Sequence, residues 1–170
     1  MPSKLLRGNT KIVAVEYDAI ADPAAPTAAE LNSATMAYDI SCAVLDDYTL
    51  NLTDSDTDDT LTVCDIGNVE TRTFTNYEAE LTGLKDATLT DNASVYNTFF
   101  RLFLAPDVKY WLVKRIGPSQ ATTFVAGQVV SLYGVSTDYP TNNAEDGSML
   151  SMTANFKPTG SVNTNYTLLS

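Results

Sequence analysis

The residues best placed by type and spacing to do chemistry are acids. Asp54, Asp56, Asp58 and Asp65 fall at positions one, three, five and twelve of an EF-hand-like register, a spacing that could gather carboxylate oxygens around calcium. The register breaks where its geometry is strictest: position six is Asp59, where a glycine must turn the chain, and position twelve is Asp instead of a bidentate Glu. Residues 53–60 therefore read as a solvated hairpin tip or a contact between copies, and no metal ligand is assigned. Lys109, Lys114 and Arg115 are the opposite pole, a cationic group on the aromatic strand. Such a group can hold an anion weakly, but more often it pairs with acids across a subunit contact. The candidate inter-subunit contacts are accordingly Asp54, Asp56, Asp58, Asp59, Lys114 and Arg115.

The rest of the catalytic repertoire is thin. The chain has no histidine, which removes the usual general base at neutral pH, the imidazole of a nucleophilic triad and the commonest zinc ligand. Carboxylate pairs arise by chance in so acidic a chain, so none is assigned an acid/base role. The eight glycines are scattered as single turn residues and build no phosphate cradle. Asn51, Asn92 and Asn165 match glycosylation acceptors, but no secretory signal is expected at the N-terminus, so they carry no weight. Trp111 and its aromatic neighbours are read as core and not as a base-stacking platform, because a single-strand binder adds a basic groove. No catalytic or cofactor-binding residue is assigned, no cofactor is expected, and the chain reads as a structural protein, not an enzyme.

Charge and size support that reading. In 170 residues there are 10 Lys plus Arg against 21 Asp plus Glu, a formal charge of −11. A surface of that sign repels phosphate and keeps monomers apart until a specific contact overcomes the repulsion. The length suits one domain, and no apolar run reaches the roughly 20 residues of a membrane helix. Cys42 and Cys64, the only two cysteines, are too few for a disulfide framework; both are read as small buried free thiols of a protein made in a reducing cytosol.

The elements that must position these groups are mainly strands. TKIVAVEY (10–17) is β-branched and reads as the first core strand. Thr27 and Glu30 have capping-box spacing, predicting one helical turn over 28–32 within a long surface loop, 18–37. Residues 38–45 and 48–53 alternate around Asp46 and Asp47 and predict a hairpin; beyond the acidic tract, LTVCDI (61–66) and 71–81 predict further strands. Val95, Tyr96, Phe99, Phe100, Leu102 and Phe103 recur at helical spacing after Asp91 or Asn92 as cap, and Pro106 stops the helix. VKYWLVKRI (108–116) is apolar on both faces and predicts a strand covered on each side. Residues 128–135 and 149–156 supply two later strands, and the polar tail beyond Pro158 is either flexible or ordered against a neighbour. The sum is a mainly β, two-sheet antiparallel β-sandwich or partly closed barrel with one flanking α-helix. It forms a single domain, 1–170, with an N-terminal extension 1–9, the loop 18–37 and a C-terminal arm 158–170.

Four features in fixed order extend this reading: KIVAVEY followed by AAPTAAELN; TFTNYEAELT after an acidic hairpin; a helix leading into KYWLVKRIG; and AGQVVSLYGVSTDYP ahead of SMTANFKPTG. In that order and spacing, across nearly the whole chain, the sequence resembles the major tail (tail tube) proteins of long, non-contractile-tailed bacteriophages. The resemblance implies a virion protein made in the host bacterial cytoplasm. It implies homo-hexameric rings stacked into a hollow tube, other phage tail proteins as partners, and viral DNA passing through the lumen without specific binding. With −11 on each copy, an acidic lumen would let DNA slide by like-charge repulsion. Two alternatives differ in class. A secreted, calcium-assisted β-sandwich binding module requires export and a stable monomer; a tail-end or neck ring protein of the same fold stops at one ring.

Overall fold

The computed structural model describes residues 8–64, 66–67, 70–143 and 149–170. The first strand, β1 (Thr10–Glu16), is buried without a break from Lys11 to Val15, so both of its faces are covered. It is followed by α1 (Ala28–Leu31), β2 (Ala37–Asp39), β3 (Thr49–Leu52), β4 (Asp56–Asp58), β5 (Thr71–Phe74) and β6 (Tyr77–Leu84). Then come α2 (Val95–Leu102), β7 (Lys109–Ile116), β8 (Val129–Thr137), β9 (Thr141–Asn143) and the long β10 (Ser151–Thr167). All pairings are antiparallel, along the path β2-β1-β7-β8-β10-β6-β3 with β9 also on β10, and β4 pairs with β5 in a separate ribbon.

One strand makes the two layers. Residues 151–155 of β10 pair with β6, whereas from Phe156 onward it pairs with β8. Within the β8 pairing the register shifts between Pro158 and Val162 and again between Asn163 and Tyr166, with Gly160 and Asn165 at positive φ. Such bulges bend a strand and raise its twist, which lets β10 turn the corner from one layer to the other. The first layer is β2-β1-β7-β8 with the second half of β10; the second is β9, the first half of β10, β6 and β3. The ends of the path, β2 and β3, do not pair, so the sheet is open and the sandwich reading holds over the barrel.

Between the layers lie Ile12, Ala14, Leu112 and Val135 from one side and Leu50, Leu81, Met152 and Ala154 from the other. Helix α2 closes this core: Phe103 meets Phe99, Tyr110 and Phe156 edge-on, with centroids 5.0 to 5.6 Å apart. Each such side chain contributes roughly 1.5 to 3 kcal/mol by leaving water. Gly83 makes room for the helix, since a Cβ there would stand 2.4 Å from the Phe99 ring. Gly134 does the same for the β10 bulge, where a Cβ would meet the Thr159 hydroxyl at 2.5 Å and the Ser161 carbonyl at 2.9 Å.

A second core covers the far face of the first layer. Val13, Val15, Trp111 and Val113 pack there under Ile20, Leu31, Phe124 and Leu168. Trp111 stacks on Tyr17 at 5.1 Å and donates its indole N–H to the Tyr17 carbonyl. The loop 18–37 is thus a lid with buried residues of its own, and the expected two-sided burial of 108–116 is what β7 shows. The capping box at α1 is also present: Thr27 Oγ1 accepts from the Glu30 N–H, and the Glu30 carboxylate accepts from the Thr27 N–H.

Several expectations are corrected. Residues 38–45 and 48–53 do not form a hairpin: β2 pairs with β1 and β3 with β6, because the intervening chain, with Ile40 and Ala43 buried, crosses from one layer to the other. Leu61 to Cys64 form no strand; the acidic tract itself is the strand, β4, pairing with β5. Cys42 and Cys64 are free but exposed, since neither lies on a core-facing strand. Helix α2 is capped at Ser94, and the Asp91 carboxylate instead accepts from the Ala93 N–H. The segment from 158 finds its partner within the chain as β10 on β8. Most of the expected 1–9 extension lies outside the described residues.

Candidate functional site

Two groups of residues singled out by charge take opposite fates. The first is the β4–β5 ribbon, in which Asp56 pairs with Phe74, Thr57 with Arg72 and Asp58 with Thr71. Every residue of both strands is exposed. Short polar ties hold it: Thr73 Oγ1 donates to the Asp56 carbonyl at 3.0 Å, and Asn76 Nδ2 donates to the Asp54 carbonyl and the Asp56 carboxylate at 3.1 Å. The Thr60 hydroxyl and N–H both donate to Asp58 and hold its carboxyl below the usual range. Asp54 and Asp59 flank β4, both exposed.

The ribbon also carries apolar side chains with nothing over them. Leu61 and Phe74 are exposed, and Val63 and Ile66 stand at 107% and 104% of their reference exposure. A two-stranded ribbon without a core is marginal in water, and the β-branched and aromatic groups beside it are uncovered. Among the described residues no three His, Cys, Asp or Glu are grouped to hold a metal ion. Asp65, the last member of the register, lies outside the described residues.

The second group is the cationic pair on β7, which alternation sends to opposite faces. Lys114 turns toward the inter-layer core, donates to the Leu50 carbonyl and to Asn51 Oδ1, and lies 5.7 Å from the Tyr133 ring centroid. It clips the first layer to edge strand β3, and burial pushes its pKa down. Arg115 is fully buried. Its Nη1 donates to the Thr123 carbonyl and Gln128 Oε1, both at 2.9 Å; its Nη2 donates to the carbonyls of Ser119 and Thr122 at 2.8 and 3.1 Å. The guanidinium also lies 5.0 Å from the Phe124 ring centroid. Burial lowers its pKa, an effect that nearby Asp39 opposes. Arg115 therefore has no surface to offer a neighbour and instead organises the loop 117–128.

Lys11, which the sequence reading passed over, reinforces that loop. Its ammonium donates to Asp39 Oδ2 at 2.5 Å and to the Gln120 carbonyl at 3.0 Å, and lies 5.8 Å from the Phe124 ring centroid. Burial alone would raise the Asp39 pKa, but hydrogen bonds from Lys11 and Ser41 outweigh it and hold the carboxyl below its ordinary value. Asn32 completes the clasp, donating to the Phe124 carbonyl at 2.7 Å and accepting from its N–H at 2.9 Å. The signal available in the sequence was a lysine inside an otherwise apolar strand, a position that demands a partner.

No helix among the described residues is long and apolar enough to cross a membrane. A family model described as phage tail tube protein matches the chain over residues 1–170. Among curated proteins, none matches it.

Proposed function

The chain belongs to the phage tail tube protein family, structural components of the virion tail, and from that premise we propose that its copies close into six-membered rings that stack into a hollow tube for DNA passage. Other tail proteins cap the ends of this tube. The observation that carries the assembly is the β4–β5 ribbon: it projects from a self-sufficient sandwich with Val63, Ile66 and Phe74 uncovered. Covering those side chains on an adjacent copy removes apolar surface from water at roughly 25 cal/mol per Å².

The acids of the ribbon set the specificity of that contact. Asp54, Asp56, Asp58 and Asp59 lie on or beside β4 of the same ribbon, so a complementary surface must offer donors or cations as well as an apolar seat. With −11 on every copy, rings repel one another at long range and join only where such a contact wins. A wall of the same sign leaves DNA phosphates no counter-charge to bind.

Negative-stain microscopy of the concentrated protein tests this. Uniform hollow filaments are expected. Single rings that never stack would make the chain a tail-end or neck component of the same fold, and a monomer that persists even with purified tail-initiation complex would overturn the tube.

A further inference from the structure

Every ring has an inner wall, and the fold offers few surfaces fit to be one. The first layer has apolar cores on both faces. The inner face of the second layer carries Tyr77, Ala79 and Leu81 into the core, and its outer face lies open. The pairing register shows what stands on that open face: Thr82 opposite Thr153, and Glu80 opposite both Asn155 and Thr49, with Glu78 next along the strand. These are small polar side chains and two carboxylates, joined by Asn51 opposite Glu78 and, at the far end, by half-buried Leu84 opposite Ser151.

Three properties distinguish this face. It is smooth, because its middle is a chain of short hydrogen bonds: Asn143 Nδ2 donates to Thr153 Oγ1 at 2.9 Å, and Thr153 and Thr82 share a hydroxyl contact at 3.0 Å. It is unneutralised, because Glu78 and Glu80 are exposed, stand about 7 Å apart on one side of a strand, and enter no ion pair among the described residues. The cations near it are engaged elsewhere in the chain. Lys85 donates to Asn142 and lies over Phe100, Lys157 pairs with Asp138 at 2.9 Å, and Lys114 is turned into the sandwich.

We infer that this open face of the second layer, with Glu78 and Glu80 at its centre, is the wall of the bore past which DNA moves. The inference rests on the tube reading above. A wall that passes a polyanion must lack free Lys and Arg, which would exchange for counterions and hold phosphate. It must also lack exposed large apolar side chains on which bases or a partner could settle. This face meets both conditions, and the β4–β5 ribbon, with its uncovered Val63 and Ile66, fails the second. Like-charged Glu78 and Glu80 on one strand face cost the isolated chain a little stability, a cost that gains a purpose where the charge faces phosphates.

Thiol accessibility in assembled tubes tests the inference. In a Cys42→Ser, Cys64→Ser background, Glu80→Cys and, separately, Asn155→Cys are each labelled as free chain and as tubes. One reagent is a small maleimide, and the other is a maleimide coupled to a globular protein too wide to enter a bore. Both reagents should label the free chain, whereas in tubes the small one should still react and labelling by the large one should be lost. Labelling of hollow tubes by both reagents places the face outside, and labelling by neither places it between copies; either result overturns the wall assignment while the tube stands. If the unsubstituted chain forms no hollow tubes, the tube reading fails and this inference fails with it. Asn155→Cys guards against an effect of removing the carboxylate itself.

Discussion

The loop 117–128 and the ribbon 56–74 are both polar excursions between strands, yet one is finished inside the chain and the other is not. The loop wraps a buried guanidinium: Arg115 reaches three of its carbonyls and Gln128, Lys11 takes a fourth carbonyl, and Phe124 fills the space between the two cations. The ribbon is tied by hydrogen bonds from Thr73 and neighbouring Asn76 to Asp56, and it turns Val63 and Ile66 into water. A buried cation whose terminal nitrogens are bonded within its own loop stabilises its own fold and presents no donor at the surface. Uncovered apolar groups at a ribbon's tip contribute nothing to the monomer and much to an interface that buries them.

The largest expected effect breaks the comparison from the ribbon side. Val63→Asp with Ile66→Asp should abolish filaments by microscopy while leaving monomer stability within about 0.5 kcal/mol, since neither side chain touches the core. Normal filaments from that variant would show that the ribbon is not the contact. The loop gives the converse. Arg115→Met should cost about 3 kcal/mol, because it removes a fully buried guanidinium whose bonds to the Ser119, Thr122 and Thr123 carbonyls hold the loop. For a domain of this size that is a fall of roughly 10 °C in Tm by calorimetry. An unchanged Tm would mean that water replaces the guanidinium and that the loop is not held by it.

Smaller tests sharpen the boundary between the regions. Thr27→Ala removes the capping box under the lid and should cost about 1 kcal/mol in urea denaturation; no change in midpoint would show that Leu31 packing alone holds α1. The smallest effect is in pH. Asp39 has a lowered folded pKa, so its pairing with Lys11 contributes stability above the unfolded carboxylate value and loses it as pH falls through the folded value. Asp39 is partly exposed, so screening keeps this below about 1 kcal/mol. Asp39→Asn should flatten the acid limb of a Tm-against-pH curve, and an equally steep limb would assign that limb to other carboxyls.

What could be read from the chain was whatever local geometry dictates. The alternation of 77–84 onto two faces, the two-sided burial of 109–116, the aromatic helix before Pro106 and the Thr27/Glu30 cap follow from backbone periods and short-range hydrogen bonds. The assembly residues were legible only in part. Asp56 and Arg115 looked alike as exposed-type charges, and only the fold separates them, because whether a strand face is covered depends on chain far away in sequence. Arg115 is buried by residues of the following loop, but Phe124 is fixed there by Asn32, and the lid over β1 and β7 comes from 18–37 and Leu168. In the same way nothing local told β10 to leave β6 for β8 at Phe156, or left the outer side of β6 open. The sequence by itself determined which side chains share a face; the tertiary structure decided which faces see water, since covering a face is a long-range event that no local period encodes.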